Sequence, residues 1–203
     1  MGLSVAISPE FWDIRGVAPD PERTLPLAIK IVSGGQTGAD RAGLNWAIRH
    51  GLEHGGWCPR GRRAEDGSIP ARYCLRETLS ASYIQRTEWN VRDSDGTVIF
   101  TIAERLSGGP LRTLEFARRY RKPRLHLSAS AKPNAASALK EWLQQYRIRV
   151  LNVAGSRASK EPDVGRFVRC VLDQALGPNR KTRPRRQGAS LRARRRAHAG
   201  RDL

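Results

Sequence analysis

The sequence has few cysteines and no long apolar run. Its three cysteines, Cys58, Cys74 and Cys170, are odd in number and form no CxxC pair, which argues against a disulfide framework and against a zinc ribbon. No apolar stretch reaches the roughly 18 residues that a membrane-spanning helix needs. These absences favour a protein of the reducing cytoplasm, and they predict no membrane contact.

Metal ligands at a recognisable spacing are also missing. His50 and His54 lie four residues apart near the end of a predicted helix, but no third ligand follows at a clear spacing. No protein-bound metal is therefore predicted.

Acidic residues are almost absent from the C-terminal stretch 177–203. It contains ten Lys or Arg and one acid, Asp202, so it carries +9 of the total net charge of +18. This composition predicts a disordered basic tail. Weak, salt-sensitive contact with nucleic acid or another polyanion is one hypothesis, and a solvated tail without a specific partner is the alternative.

The N-terminal stretch 1–27 lacks the apolar segment of a signal peptide and contains several prolines, glycines and carboxylates. We expect a loosely ordered extension in which Phe11 and Trp12 are candidates to dock on the folded body. The body between the two ends, residues 28–176, has the length of one domain.

The most informative stretch of the body runs from Ile29 to Asp40. A β-branched apolar run ends at Gly34 and Gly35, which is typical of a buried parallel strand that enters a tight turn. Thr37 and Asp40 match a capping box and predict a helix that starts just after Gly35. Glycines let backbone N–H groups approach an anion, so this turn predicts a phosphate-type ligand, with an ordinary strand-to-helix turn as the alternative.

Two further strand-to-helix turns follow the same pattern. A predicted strand 97–101 leads to Gly108 and Gly109 before a helix, and a predicted strand 150–154 leads to the polar loop 155–159. We also predict helical turns near 74–79 and 86–91. The alternation predicts an α/β, Rossmann-like three-layer domain with a mostly parallel sheet flanked by helices. The strand ends then share one edge, where ligands of open α/β sheets bind.

The residues of the three turns are the candidate ligand-binding and phosphate-binding residues. They are Ser33, Gly34, Gly35, Gln36, Thr37, Gly38, Asp40, Gly108, Gly109, Thr113, Asn152, Gly155, Ser156 and Arg157. A charged loop supplies candidates for a flanking lid, namely Arg62, Arg63, Glu65 and Asp66, although a solvated loop has the same composition. We expect Gly35→Val to abolish binding and to leave the fold largely intact.

Four blocks of sequence resemble the molybdenum cofactor carrier family: 33–42, 56–67, 86–97 and 152–155. That family is similar to the LOG phosphoribohydrolases and to DprA-type domains. The resemblance implies a Rossmann-like homo-oligomer that binds, and possibly carries, a phosphorylated, nucleotide-like ligand such as molybdenum cofactor (molybdopterin) or a nucleotide.

The sequence departs from these families at the second glycine turn. It has Gly108-Gly109-Pro110 where the carrier family usually has Gly-Gly-Thr, so a hydroxyl donor is missing unless Thr113 supplies it. The enzyme alternative is a LOG-like hydrolase of the N-glycosidic bond of nucleoside monophosphates. In that hypothesis Arg112 holds phosphate, and Glu115 or Glu88 is the general acid and base. Carrier and enzyme both stay open at this point.

Overall fold

The computed structural model describes residues 29–131 and 133–177. The predictions for the N-terminal extension, for Phe11 and Trp12 within it, and for the basic tail lie outside these described residues.

The described elements alternate between strands and helices. In chain order they are β1 (Lys30–Val32), α1 (Ala39–Arg49), β2 (His54–Gly55), β3 (Trp57–Cys58), β4 (Arg63–Ala64), β5 (Gly67–Ser68), β6 (Arg76–Glu77), α2 (Tyr83–Arg92), β7 (Gly96–Thr101), α3 (Gly108–Arg119), β8 (Arg124–Ser128), α4 (Ala135–Gln145), β9 (Val150–Gly155) and α5 (Val164–Leu176).

The central sheet has five strands in the order β2-β1-β9-β7-β8, and every neighbouring pair is parallel. Helices α1, α4 and α5 pack together over one face, and α2 packs beside α3 over the other. The predicted α/β, Rossmann-like three-layer fold is therefore confirmed. The short strands β3 with β6, and β4 with β5, form two separate pairs.

The sheet is buried because helices cover both of its faces, and its interior strands are therefore mostly apolar. All six residues of β7 are buried. Trp46 of α1 and Trp142 of α4 are fully buried against the same face. A smaller apolar cluster lies beneath the chain between β3 and β6, and its buried members are Leu44, Cys58, Ile69, Tyr73 and Leu75.

The helix predicted near 86–91 is confirmed, whereas the one near 74–79 is wrong. Helix α2 begins at Tyr83, and the Ser82 hydroxyl accepts a hydrogen bond from the N–H of Ile84. The stretch around Arg76 is instead strand β6. Its amides donate to the carbonyls of a distant partner, as from Thr78 to Cys58 at 2.8 Å. Strand β6 forms because its backbone bonds to β3. The periodicity of the local sequence gives no information about such a distant partner.

None of the helices in the described part of the chain is long and apolar enough to cross a membrane.

Candidate functional site

The three predicted turns lie at one edge of the sheet. Strands β1, β7 and β9 are parallel neighbours, so the chain leaves all three at their carboxyl ends. Helices α1 and α3 begin at this edge, and α2 begins there too because it runs back to the start of β7. Their N-terminal ends carry partial positive charge and favour an anion.

The first glycine turn is packed by the protein itself. A Cβ at Gly34 would collide with the Arg86 guanidinium, and a Cβ at Gly35 would lie 2.5 Å from Leu75 Cδ1. Gly35 also has a φ of 73°. A valine there would be strained and would displace the small apolar cluster. The expectation that Gly35→Val leaves the fold intact is therefore wrong.

Asp40 and Arg86 form a buried ion pair beneath this turn. Arg86 Nη1 lies 3.0 Å from Asp40 Oδ2, with side-chain exposures of 12% and 5% respectively. The N–H of Gln36 donates to the same oxygen at 3.2 Å. Burial raises the pKa of the Asp40 carboxyl above its ordinary value, and the Arg86 charge and the Gln36 hydrogen bond offset this only in part.

Asp40 should make stability fall as pH rises. Its pKa in the folded chain exceeds the ordinary 3.8, so the folded state holds this proton more tightly than the unfolded state does. The stabilising contribution is complete below pH 3.8 and is lost as pH rises through the raised pKa. We expect the free energy of unfolding of the parent, minus that of Asp40→Asn, to decrease from acid to neutral pH. Urea unfolding at constant ionic strength measures this difference, and a rise with pH would contradict it.

The predicted capping box does not form. Helix α1 begins at Ala39, later than expected, and no side chain caps it. The Thr37 hydroxyl instead donates to Glu65 and accepts from the N–H of Ala158 at 3.2 Å. The Thr37 hydroxyl therefore bonds to residues that are distant in sequence, whereas the local pattern predicted that it would cap helix α1.

The charged loop closes over the first turn. Glu65 accepts from Thr37 and, at 2.6 Å, from the Ser159 hydroxyl. Asp66 pairs with both terminal nitrogens of Arg41, at 2.5 and 2.7 Å. Hydrogen bonds from Arg41 hold the pKa of Asp66 below its usual value. The loop therefore joins the turns after β1 and β9.

Two arginines of this loop differ in role. Arg62 has a φ of 48° and donates to four carbonyl oxygens of the segment 69–75, at 3.0 to 3.2 Å. It holds the loop in shape and has few donors left for a ligand. Arg63 is exposed on β4.

The second glycine turn is open. A Cβ at Gly108 or Gly109 would meet no atom within 4 Å. Helix α3 starts at Gly108, where φ is 53°, and the side chain of Ser107 makes no capping hydrogen bond. Among the described residues, no acceptor takes the N–H of Gly108 or Gly109. Of the three turns, this one has open space beside both of its glycines, and the N–H groups of these glycines have no described acceptor.

An arginine and tyrosine cluster lies near the first and third turns. The guanidinium carbons of Arg157 and Arg86 lie 5.1 and 6.0 Å from the centre of the Tyr83 ring. Buried Arg86 Nε and Gln36 Nε2 have no acceptor within the described ranges. Sequence reasoning selected Arg157 and Gln36 but missed Tyr83 and Arg86. The sequence offered a signal for both: Arg86 is the first residue of the block 86–97 that resembles the molybdenum cofactor carrier family, and Tyr83 lies three residues before it.

Several predicted residues are not brought to the open edge. Asn152 is buried inside the sheet and donates to Thr97 Oγ1 at 3.2 Å. Thr113 is buried, and its hydroxyl donates to the Gly109 carbonyl at 3.0 Å. The Ser33 hydroxyl donates to the Val153 carbonyl at 2.6 Å.

Glycines 38 and 155 permit close packing at the same edge. A Cβ at Gly38 would clash with the backbone of the loop 156–158, and one at Gly155 would clash with the Phe100 carbonyl. The N–H of Ala39 donates to the Ser156 carbonyl at 3.1 Å. These contacts hold the turns after β1 and β9 against each other.

Of the proposed catalytic residues, Glu88 lies toward the opposite end of α3 from Arg112. Glu88 accepts from Tyr120 at 2.8 Å and lies 3.5 Å from Arg119, at the far end of α3. Arg112 lies seven residues before Arg119, or about 10 Å along a helix axis. Arg112 and Glu115 are both exposed. The structure therefore does not place Glu88 beside Arg112.

Within the described ranges, no three His, Cys, Asp or Glu side chains are grouped so that they could hold a metal ion. His50 contacts Asp173 at 3.3 Å, and His54 lies 3.4 Å from the Arg72 carbonyl, so the two histidines have different neighbours.

Comparison with known proteins finds similarity to one family model and to two solved structures. A model of the circularly permutated YpsA SLOG family matches residues 31–176. The crystal structure of "Putative molybdenum carrier protein" from Syntrophus aciditrophicus SB is 44% identical, with a TM-score of 0.73, and the alignment covers 74% of this chain and 96% of that chain. A structure of (E)-4-hydroxy-3-methyl-but-2-enyl diphosphate reductase aligns at 9% identity with a TM-score of 0.33, too low to carry an argument; it covers 73% of this chain and 60% of that one. No curated protein matches.

Proposed function

Because this chain belongs to the circularly permutated YpsA SLOG family, we propose that the carboxyl edge of its sheet binds a phosphorylated, nucleotide-like small molecule. The open start of α3 is the observation that carries this proposal. Its first two amides donate to no described residue, its end is uncapped, and the space beside both glycines is free. This arrangement favours a phosphate group.

The rest of the ligand would lie toward the first and third turns. Arg157 and Tyr83 offer a cationic and aromatic surface that suits a heterocycle. Arg86 and Gln36 each add a buried N–H without an acceptor in the described part. Such donors fit the oxygens and ring nitrogens of a pterin or a nucleobase.

The 44% identical relative bears the name of a molybdenum carrier, so molybdopterin is our first candidate ligand, with a nucleotide as the second. The donor set described above fits a phosphorylated heterocycle of either kind. Carriage of the ligand and the homo-oligomer implied by the resemblance stay predictions. Native mass spectrometry of freshly purified protein, followed by release of any co-purified compound, identifies the ligand.

Gly109→Glu tests the phosphate position. The site is open and lacks a positive φ, so the new side chain needs no repacking, and a carboxylate in the first turn of a helix is tolerated. Its negative charge should repel phosphate and weaken binding at least about tenfold, which corresponds to about 1.4 kcal/mol. Isothermal titration with molybdopterin or with nucleoside monophosphates measures the affinity.

Gly109→Gln is the matched control, because it has nearly the same volume without the charge. We expect it to bind much more tightly than Gly109→Glu. Equal affinity of Gly109→Glu and the parent would contradict a phosphate at α3, and equal loss in both variants would point to a steric effect.

A further inference from the structure

A cavity whose lining includes none of the residues of the proposed ligand site lies beside the sheet. It has a volume of about 500 Å³, in the range of small-molecule sites, and it opens on the α2 side of the sheet. Lys30 and Val150, the first residues of β1 and β9, belong to its lining. Val32 and Gly55, the last residues of β1 and β2, also line it, so the groove runs along these strands from their amino ends. We call it the amino-end groove, and its other lining residues are His54, Gly56, Trp57, Cys74, Arg76, Asn90 and Asp93.

Trp57 gives the groove a fixed aromatic wall. Its indole N–H donates to Asp93 at 2.7 Å, and its ring meets Trp89 edge to face with 4.7 Å between ring centres. The Arg76 guanidinium carbon lies 5.9 Å from the centre of the Trp57 ring. An aromatic ring that enters the groove would find both a ring and a cation to contact.

The charge of the groove is positive and poorly balanced. Arg76 makes no ion pair with a described residue. The one described ion pair of Lys30 is with Glu53, at 3.8 Å, and the Glu53 side chain is 82% exposed. The Asp93 carboxylate is already shared by Trp57 and Arg92. An occupant with both acidic and aromatic groups would complement this lining.

The chain itself carries such a segment, Glu10-Phe11-Trp12-Asp13. Residues 1–28 hold four acids and two arginines, a net charge of −2 in a chain of +18. Lys30 lies in the groove wall, so the tether from Asp13 spans 17 residues, or about 55 Å at full extension. Tethering of this kind supplies a millimolar effective concentration. The family match begins at residue 31, so the segment lies outside the matched region.

We propose that the amino-end groove is the docking site for residues 10–13 of the same chain, with the aromatic side chains against Trp57 and the carboxylates beside Arg76 and Lys30. These four residues lie outside the described part of the structure. Docking would cover Cys74, an exposed thiol in the groove lining.

Thiol labelling of the full chain tests this proposal, because Cys74 reports on the groove and exposed Cys170 on α5 is the internal reference. We expect Phe11→Ser/Trp12→Ser to raise the labelling rate of Cys74 at least about fivefold, as expected when a segment docked about 80% of the time is released. Arg76→Glu should do the same, and the rate of Cys170 should not change. The control variant Asp20→Asn/Glu22→Gln alters acids outside the segment and should leave Cys74 protected.

Cross-linking identifies the occupant. With Ile14→Cys and a mild oxidant, we expect a disulfide to Cys74 within one chain, seen as a peptide pair at monomer mass. If the disulfide forms only between two chains, the groove is a contact site between copies of this protein, and our proposal is wrong. Unchanged labelling of Cys74 in both the Phe11→Ser/Trp12→Ser and Arg76→Glu variants would overturn it. None of these measurements depends on the ligand at the carboxyl edge.

Discussion

Replacing Arg86 by methionine is expected to lower the free energy of unfolding by about 3–5 kcal/mol, the usual cost of leaving one partner of a buried ion pair alone. Asp40 is buried, and its carboxylate receives its main compensation from Arg86 at 3.0 Å. The Arg86 side chain also covers Gly34, so its loss exposes the first turn. Urea unfolding at neutral pH measures the change.

Two variants show whether the buried charge is the cause. Arg119→Met removes an arginine whose ion pair with Glu88 is 3.5 Å long and 71% exposed on the arginine side, so it should cost less than about 1 kcal/mol. Adding Asp40→Asn to Arg86→Met should recover much of the loss, because the unpaired charge disappears. Equal destabilisation by Arg86→Met and Arg119→Met would contradict this account.

Gly155→Ala is expected to cost about 3 kcal/mol or more, at the upper end of overpacking effects. Gly155 ends β9, and a Cβ there would collide with the Phe100 carbonyl and lie 2.7 Å from Ala39 Cβ. Relief would require separating β9 from β7 or from α1, both of which belong to the core. Thermal or urea unfolding measures the loss.

Gly109→Ala is the matched control for stability. Gly109 has an ordinary φ and belongs to α3, and a Cβ added there would have no atom within 4 Å. We expect an unchanged stability or a gain of about 0.5–1 kcal/mol, since alanine restricts the unfolded chain. If Gly155→Ala were as stable as Gly109→Ala, the close packing of the two strand ends would be refuted.

The open and the packed glycine turns have different uses, although both have a Gly-Gly pair after a strand. At Gly34 and Gly35 the missing side chains make room for Arg86 and Leu75. At Gly108 and Gly109 they leave space in front of a helix end. A sequence pattern reports only that a side chain is absent, so it predicts the turn but not what occupies the space.

The sequence by itself determined the elements whose cause is local. The buried strand β7 and the glycines at the strand ends follow from composition, because burial on both faces selects mostly apolar and small residues along a short stretch. The alternation of strands and helices predicted that three turns lie at one edge of the sheet. The parallel order of β1, β9 and β7 places them there. The family resemblance relied on those same stretches.

The tertiary structure alone decided the partners of polar side chains. Asp40 meets Arg86 across 46 residues, and Thr37 bonds to Glu65 instead of the helix start. Strand β6 forms where a helical turn was predicted, since its hydrogen bonds come from β3. A polar group is satisfied by whichever partner folding brings within about 3 Å, and that partner is set by the path of the whole chain, not by its neighbours in sequence.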